Sequence, residues 1–225
     1  MPLDPNATIV LSALKNTPAF THGVVRDARV RWALEKIGRP YRAELFEGMT
    51  PRPDDYREWQ PFGQVPALRD GDVQLFETGA ILLYLGEQDE RLLPREPQAR
   101  WAATSWLVAA LNSVEPPILQ IVLLDIFYNG QDWTKAARPA MLDFTNRRLG
   151  DVAKALGDHE WLTGRFTIAD IMMVTVLRQL RHIDIVARFP NLAAYQARGE
   201  ARPAFRQAIA DQERDLGPPI PMGER

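Results

Sequence analysis

A proline set inside a strand-forming pentapeptide, Gln64-Val65-Pro66-Ala67-Leu68, limits what this chain can build more than any other short segment. Proline has no N–H to give a sheet ladder, so main-chain groups of the residue before it stay unpaired. If the Val65-Pro66 bond is cis, which only X-Pro bonds reach at low cost, the turn aims the Val65 N–H and C=O outward together. A charged turn follows at Asp70-Gly71-Asp72, and eleven residues after the proline Glu77-Thr78 opens an apolar run. An acidic residue beside a hydroxyl at a helix start, next to free main-chain groups, makes a concave polar site suited to a small zwitterion, with a peptide pairing on Val65. An edge strand carrying an ordinary proline has the same local sequence.

The surrounding pattern is that of an α/β unit. Thr8 to Leu14 is a short apolar run, Lys15 to Gly23 is rich in turn formers, and Val24 to Ile37 has helical periodicity. In that helix Asp27, Arg31 and Glu35 recur four apart as a charged stripe, while Val24, Ala28 and Trp32 form an apolar one that can pack on a sheet. Gly38 ends it. Tyr41 to Phe46 alternates as a second strand, Ala67-Leu68 and Val73 to Phe76 form a third and fourth across the Asp-Gly turn, and Thr78 to Glu87 is a further helix.

Composition excludes some partners. With 46% hydrophobic and 25% charged residues the chain is an ordinary globular sequence, and its formal charge of −2 gives nucleic acid or an anionic membrane no electrostatic reason to bind. The N-terminus has no basic segment followed by an apolar core, and no apolar run approaches the ~18 residues of a membrane span, so a cytoplasmic protein is expected. His22, His159 and His182 lie far apart without metal-type spacing, and no Gly-rich phosphate loop is present; no metal is expected.

Past Arg91 to Pro97, a charged connector containing prolines, everything reads helical. Gln98 to Tyr128 is a long helix-forming stretch that Glu115-Pro116-Pro117 should kink or split. Arg138 to Leu156, Thr167 to Leu180, Asn191 to Ala201 and Pro203 to Asp215 supply further helices. Thr167-Ile168-Ala169-Asp170 has the form of a capping box, which makes Asp170 a cap and not a catalyst. The expected organisation is an α/β domain over residues 1–90, a linker over 91–97 and an all-α domain over 98–225.

Four separated blocks, Arg29 to Tyr41 (RVRWALEKIGRPY), Pro61 to Leu68 (PFGQVPAL), Phe76 to Leu85 (FETGAILLYL) and Trp161 to Asp170 (WLTGRFTIAD), together resemble the cytosolic glutathione transferases, in a bacterial-type form. That resemblance implies a thioredoxin-like N-terminal domain followed by an all-helical domain, glutathione as cosubstrate, a homodimer, and a role in detoxification. It also assigns residues. Val65 matches the position whose main chain pairs with the cysteinyl part of glutathione, with Pro66 setting the turn. Gln64 matches a side chain on the glycyl or cysteinyl region, and Glu77 and Thr78 match the acidic-hydroxyl pair that receives the γ-glutamyl end. An acceptor for an ammonium and donors for a carboxylate at a helix N-terminus suit that task physically. An apolar cosubstrate pocket between the domains would draw on Phe20 and His22 from the strand-to-helix loop, and on Trp106, Leu107 and the stretch Asn112 to Pro116, including Glu115.

The chain departs from the family where the thiol is activated. Common members place a tyrosine, serine or cysteine near the first helix; here that segment reads Thr17-Pro18-Ala19-Phe20-Thr21-His22-Gly23, and Val24 and Val25 stand nearest the usual serine. Thr21 is the nearest hydroxyl and Ser12 lies farther back. Zero cysteines remove the type that carries a catalytic cysteine. Thiol transfer to an electrophile is the expected function. A glutathione-dependent disulfide or peroxide reductase without a protein cysteine, and a non-catalytic glutathione-binding module, stand beside it.

Overall fold

The computed structural model describes residues 2–221, and its contacts divide the chain into two units. One joins the residues up to Leu92 with the segment from Arg202 onward, and the other runs from Leu93 to Ala201. The α/β unit therefore closes with the last helix of the chain, which the sequence pattern had grouped with the helical domain.

Four strands, β1 (Ile9–Lys15), β2 (Tyr41–Glu47), β3 (Ala67–Asp70) and β4 (Val73–Phe76), form one sheet in the order β2-β1-β3-β4. β1 runs parallel to β2 across helix α1 (Asp27–Ile37) and antiparallel to β3, which pairs antiparallel with β4. Successive residues from Ile9 to Ala13 are all buried, as in a central strand covered on both faces. The first helix begins at Asp27 and not at Val24, because Gly23 at φ 72° turns the chain and the amides of Ala28 and Arg29 close turns on Val25 and Arg26. Gly38, at φ 73°, ends it with its N–H on the Leu34 carbonyl, a conformation glycine takes without a Cβ clash. Helix α2 (Asp54–Trp59) has no sequence periodicity to announce it; it is held by Tyr56 and Trp59, which pack with Val10 and Ala67. Helix α3 spans Thr78–Gln88.

The stripe Asp27, Arg31, Glu35 is not a solvated face. Asp27 and Arg31 are fully buried, paired at 2.7 Å, and Arg31 makes a second ion pair at 2.7 Å with Asp215. Asp215 belongs to α9 (Pro203–Leu216), as does Gln212, whose amide donates to Asp27 Oδ1 at 2.5 Å. α1 is thus covered on both sides, with Trp32 edge-on to Phe205 of α9, ring centroids 4.8 Å apart. Periodicity alone cannot distinguish such a charged stripe from a surface one, since the covering helix lies far along the sequence.

In the second unit α4 (Pro97–Ala109), α5 (Glu115–Val122) and two widened turns, Ala110–Val114 and Leu123–Phe127, make one continuous helical rod. The expected break at Pro116-Pro117 is absorbed by a wide turn before it: the Glu115 amide reaches back to the Ala110 carbonyl, and the prolines sit in the first turn of α5, where donors are not needed. By length and composition the rod from Pro97 to Phe127 suffices to cross a bilayer, contrary to the expectation that no run approached that size. Its apolar content is that of a core helix: Ala103, Leu107, Ala110, Val114, Ile118, Ile121 and Leu124 form one buried stripe. Helices α6 (Asp132–Leu156), α7 (Ile168–Arg178) and α8 (Pro190–Glu200) complete the unit. α7 is buried from Ile168 to Leu177, and its start carries the capping box, with Asp170 Oδ2 accepting from the Thr167 amide at 2.8 Å.

Glu35 generates a test of the α1–α9 attachment. It is half-buried, and burial first, then the like charge of Asp211 on α9, push its carboxyl from 4.5 up to about 7. A folded pKa above the unfolded one contributes stability that is fully present below about pH 4.5 and is lost as pH rises through about 7. The melting temperature should therefore fall between about pH 5.5 and 8 by more than that of Glu35→Gln, followed by circular dichroism. Parallel curves for the two proteins would remove Glu35 from the linkage.

Candidate functional site

Register brings three chain segments to one end of the sheet. Leu11 of β1 pairs with Leu68 and Ala67 of β3 with Phe76 of β4. The end of β1, the residues just before β3 and the residue just after β4 therefore emerge together. The first leads into the loop holding Phe20, Thr21 and His22; the second is Gln64-Val65-Pro66; the third is Glu77.

The middle segment is pinned from behind. The Ser12 hydroxyl accepts from the Ala67 amide at 2.7 Å and lies 2.7 Å from the Tyr56 hydroxyl, which itself donates to the Gln64 carbonyl at 2.6 Å. A phenol has one proton, so Ser12 donates to Tyr56 and the two hydroxyls form a directed chain. The Gln64 amide is taken by Gln60 Oε1 at 3.0 Å. With Gln64 and Ala67 fixed and Val65-Pro66 cis, the Val65 N–H and C=O are the main-chain groups without a partner among the described residues. Val65 is half-buried and the Gln64 side chain is exposed. Ser12, fully buried with both functions of its hydroxyl occupied, braces this turn; the expectation that it could hold a thiolate is corrected by that saturation.

At the third segment Glu77 has φ 68°, an unusual backbone for a side chain with a Cβ, and its carboxylate is exposed. Thr78 begins α3 and is buried, its Oγ accepting from the guanidinium of Arg29 at 3.3 Å. Arg29 is itself buried beneath α3. The first amides of α3 have no intrahelical acceptor, so they and the helix dipole favour an anion there.

The loop of the first segment is less open to chemistry. Thr21 Oγ lies 2.8 Å from the Pro18 carbonyl and 2.7 Å from Thr17 Oγ. A carbonyl can only accept, so the Thr21 proton closes a local turn and Thr17 supplies the second bond. The Val25 amide has no acceptor among the described residues. Phe20 and His22 are half-buried. In the helical unit Trp106 is half-buried and Asn112 exposed, while Glu115 is buried and accepts from Gln179 at 2.9 Å, which makes it an internal brace and not a pocket wall. Among the described residues no group of three or more acidic, histidine or cysteine side chains is close enough to hold a metal ion. Sequence reasoning missed Tyr56, Gln60 and the part played by Arg29, whose partners lie 4 to 49 positions away with no sequence motif to reveal them.

The family model described as Glutathione S-transferase, N-terminal domain, matches residues 28–88, and that described as Glutathione S-transferase, C-terminal domain, matches residues 122–211. Glutathione S-transferase GstA of Escherichia coli O157:H7 is 31% identical over 176 residues, covering 74% of this chain and 83% of that protein. The match to glutathione S-transferase F14 of Arabidopsis thaliana, 29% identical, spans 64% of that protein. Among solved structures, a glutathione transferase family member from Pseudomonas fluorescens with two glutathione bound superposes with a TM-score of 0.79 at 27% identity, covering 92% of this chain and 95% of that one. One from Burkholderia graminis, with two glutathione molecules bound per subunit, gives 0.80 at 26%, covering 95% and 92%.

The hydroxyl chain behind the turn should be a measurable part of stability. Ser12→Ala leaves the buried Ala67 amide without an acceptor and should cost about 1–3 kcal/mol in urea unfolding. A loss below about 0.5 kcal/mol would mean the turn holds its shape without that bond.

Proposed function

Because the chain belongs to the glutathione S-transferase family, we propose that the end of its sheet binds glutathione and presents the thiol as a thiolate for attack on an electrophilic small molecule. The observation that supports this most is the pairing of an unpartnered Val65 main chain with an exposed Glu77 and an anion-favouring α3 start at the same sheet end. An extended peptide would pair with Val65, the Gln64 side chain would meet its glycyl or cysteinyl part, Glu77 would accept from its ammonium, and Thr78 with the α3 amides would hold its carboxylate.

Thiolate stabilisation is the weak point of the site, and its magnitude is modest. Bringing a thiol from a pKa of ~8.5 to below 7 takes on the order of 2 kcal/mol, against ~1.5–3 for one hydrogen bond to a charged group. We assign that bond to the Val25 amide with an ordered water, and keep Thr21 as the nearest hydroxyl, whose proton must first leave the Pro18 carbonyl. Phe20 and His22 are the side chains we place beside the electrophile. Detoxification of electrophiles in the cytoplasm, where the glutathione pool is kept reduced, is the setting in which such transfer is useful. A second reading, reduction of a disulfide by bound glutathione, takes its support from the Burkholderia graminis relative with two glutathione molecules per subunit: one thiolate would attack the substrate disulfide and release its first thiol, and the second would attack the mixed disulfide, releasing the other thiol and leaving glutathione disulfide, without a protein cysteine.

Thiol transfer to 1-chloro-2,4-dinitrobenzene should exceed the uncatalysed rate, and thiolate absorbance in the glutathione complex should titrate below free glutathione. Thr21→Val should raise that bound-thiol pKa by less than about half a unit; a rise of a unit or more would reassign the thiolate to the hydroxyl. A bound thiol no more acidic than free glutathione in the unmutated protein would leave a binding module without turnover.

The same proposal includes a two-fold homodimer, with α3 of one copy on the Trp101 to Leu111 region of the other. On the outer face of α4, Trp101 and Val108 are 63% and 52% exposed beside a groove of about 420 Å³ that includes Asn112. A contiguous exposed apolar patch is a usual mark of a protein–protein contact. Light scattering at micromolar concentration should give twice the 25.5 kDa of one chain, and the monomer mass would discard the arrangement.

A further inference from the structure

We propose that Arg29 is a positioning residue for the carboxylate at the γ-glutamyl end of the ligand, acting through the Thr78 hydroxyl; this rests on the glutathione site proposed above. A guanidinium donates and never accepts, so the 3.3 Å contact between Arg29 Nη1 and Thr78 Oγ fixes which way the threonine hydroxyl is used. Its oxygen receives from Arg29, and its single proton is left to point elsewhere. Among the described residues that proton has no acceptor. Arg29 therefore turns a side chain able to donate or accept into a dedicated donor, aimed from the first residue of α3.

Burial gives the arrangement its charge. Thr78 is 4% exposed and Arg29 1%, so the guanidinium sits in a poorly screened environment and cannot swing out to meet the ligand itself. A carboxylate hydrogen-bonded to Thr78 would lie roughly 6 Å from that cation, close enough for its field to add to the α3 dipole. The position also explains why the residue is an arginine. A planar fork on α1 reaches Thr78 while keeping further donors for the other groups around it.

The test compares glutathione with γ-aminobutyryl-cysteinyl-glycine, which lacks only the γ-glutamyl α-carboxylate, by calorimetric titration. The unmutated protein should prefer glutathione by about ten-fold or more, the size expected for one hydrogen bond to a charged group. In Arg29→Gln the preference should fall to about two-fold, with affinity for the analogue itself nearly unchanged; Arg29→Lys, which keeps the charge, should recover part of it. A merely structural role would weaken both ligands alike and leave the ratio standing, which overturns the proposal. If Arg29→Gln does not fold, Thr78→Val carries the same expectation, and a ratio retained there overturns it equally. An unmutated protein that binds neither ligand would reject the glutathione site itself, and Arg29's role with it; one that binds both with equal affinity would reject only the carboxylate role.

Discussion

The bond from the Ala67 amide to the Ser12 hydroxyl fixes more of this molecule than its size suggests. It joins the central strand to β3 where regular pairing stops, and it orients Ser12 so that its proton goes to Tyr56. Tyr56 in turn holds the Gln64 carbonyl. A strand that proline would otherwise leave loose is thus tied at the residues on both sides of Val65, and the Val65 main chain keeps its freedom because its neighbours have lost theirs. The polar cost of burying two hydroxyls is offset by giving each of them both a donor and an acceptor.

Much of this was legible in the sequence. The strands, the α1 crossover, the Asp-Gly hairpin and the Thr167–Asp170 cap follow from local patterns, since each is decided by residues within a turn or two of one another. What could not be seen locally came from across the chain. The sequence shows a charged stripe on α1 but not its cover, α9, which comes almost two hundred residues later. Glu115 looked like a pocket wall because nothing near it announces Gln179. Ser12 looked like a spare hydroxyl for the thiolate because its two partners sit 44 and 55 positions away. The positions of the free Val65 main chain and the α3 start were, by contrast, written in consecutive residues.

The family places a hydroxyl or thiol where this chain has valine, and the loop's own threonine spends its proton on the Pro18 carbonyl. On the reading proposed above, the thiolate is held chiefly by the Val25 amide, a main-chain donor that substituting a side chain does not remove. An activation device of that kind depends on backbone conformation, so residues that shape the loop matter as much as residues that touch the sulfur.

The return of α9 to the sheet unit has a consequence for how the protein is made. Synthesis delivers β1 through α3 first, yet Asp27, Arg31 and Trp32 lack their cover until residues beyond Arg202 leave the ribosome. The helical unit, whose contacts are contiguous in sequence, can be complete while the sheet unit still exposes a buried ion pair and an indole. The first unit to be translated is the last to be finished, and a cut at the apparent boundary near Leu92 would produce a fragment missing one wall.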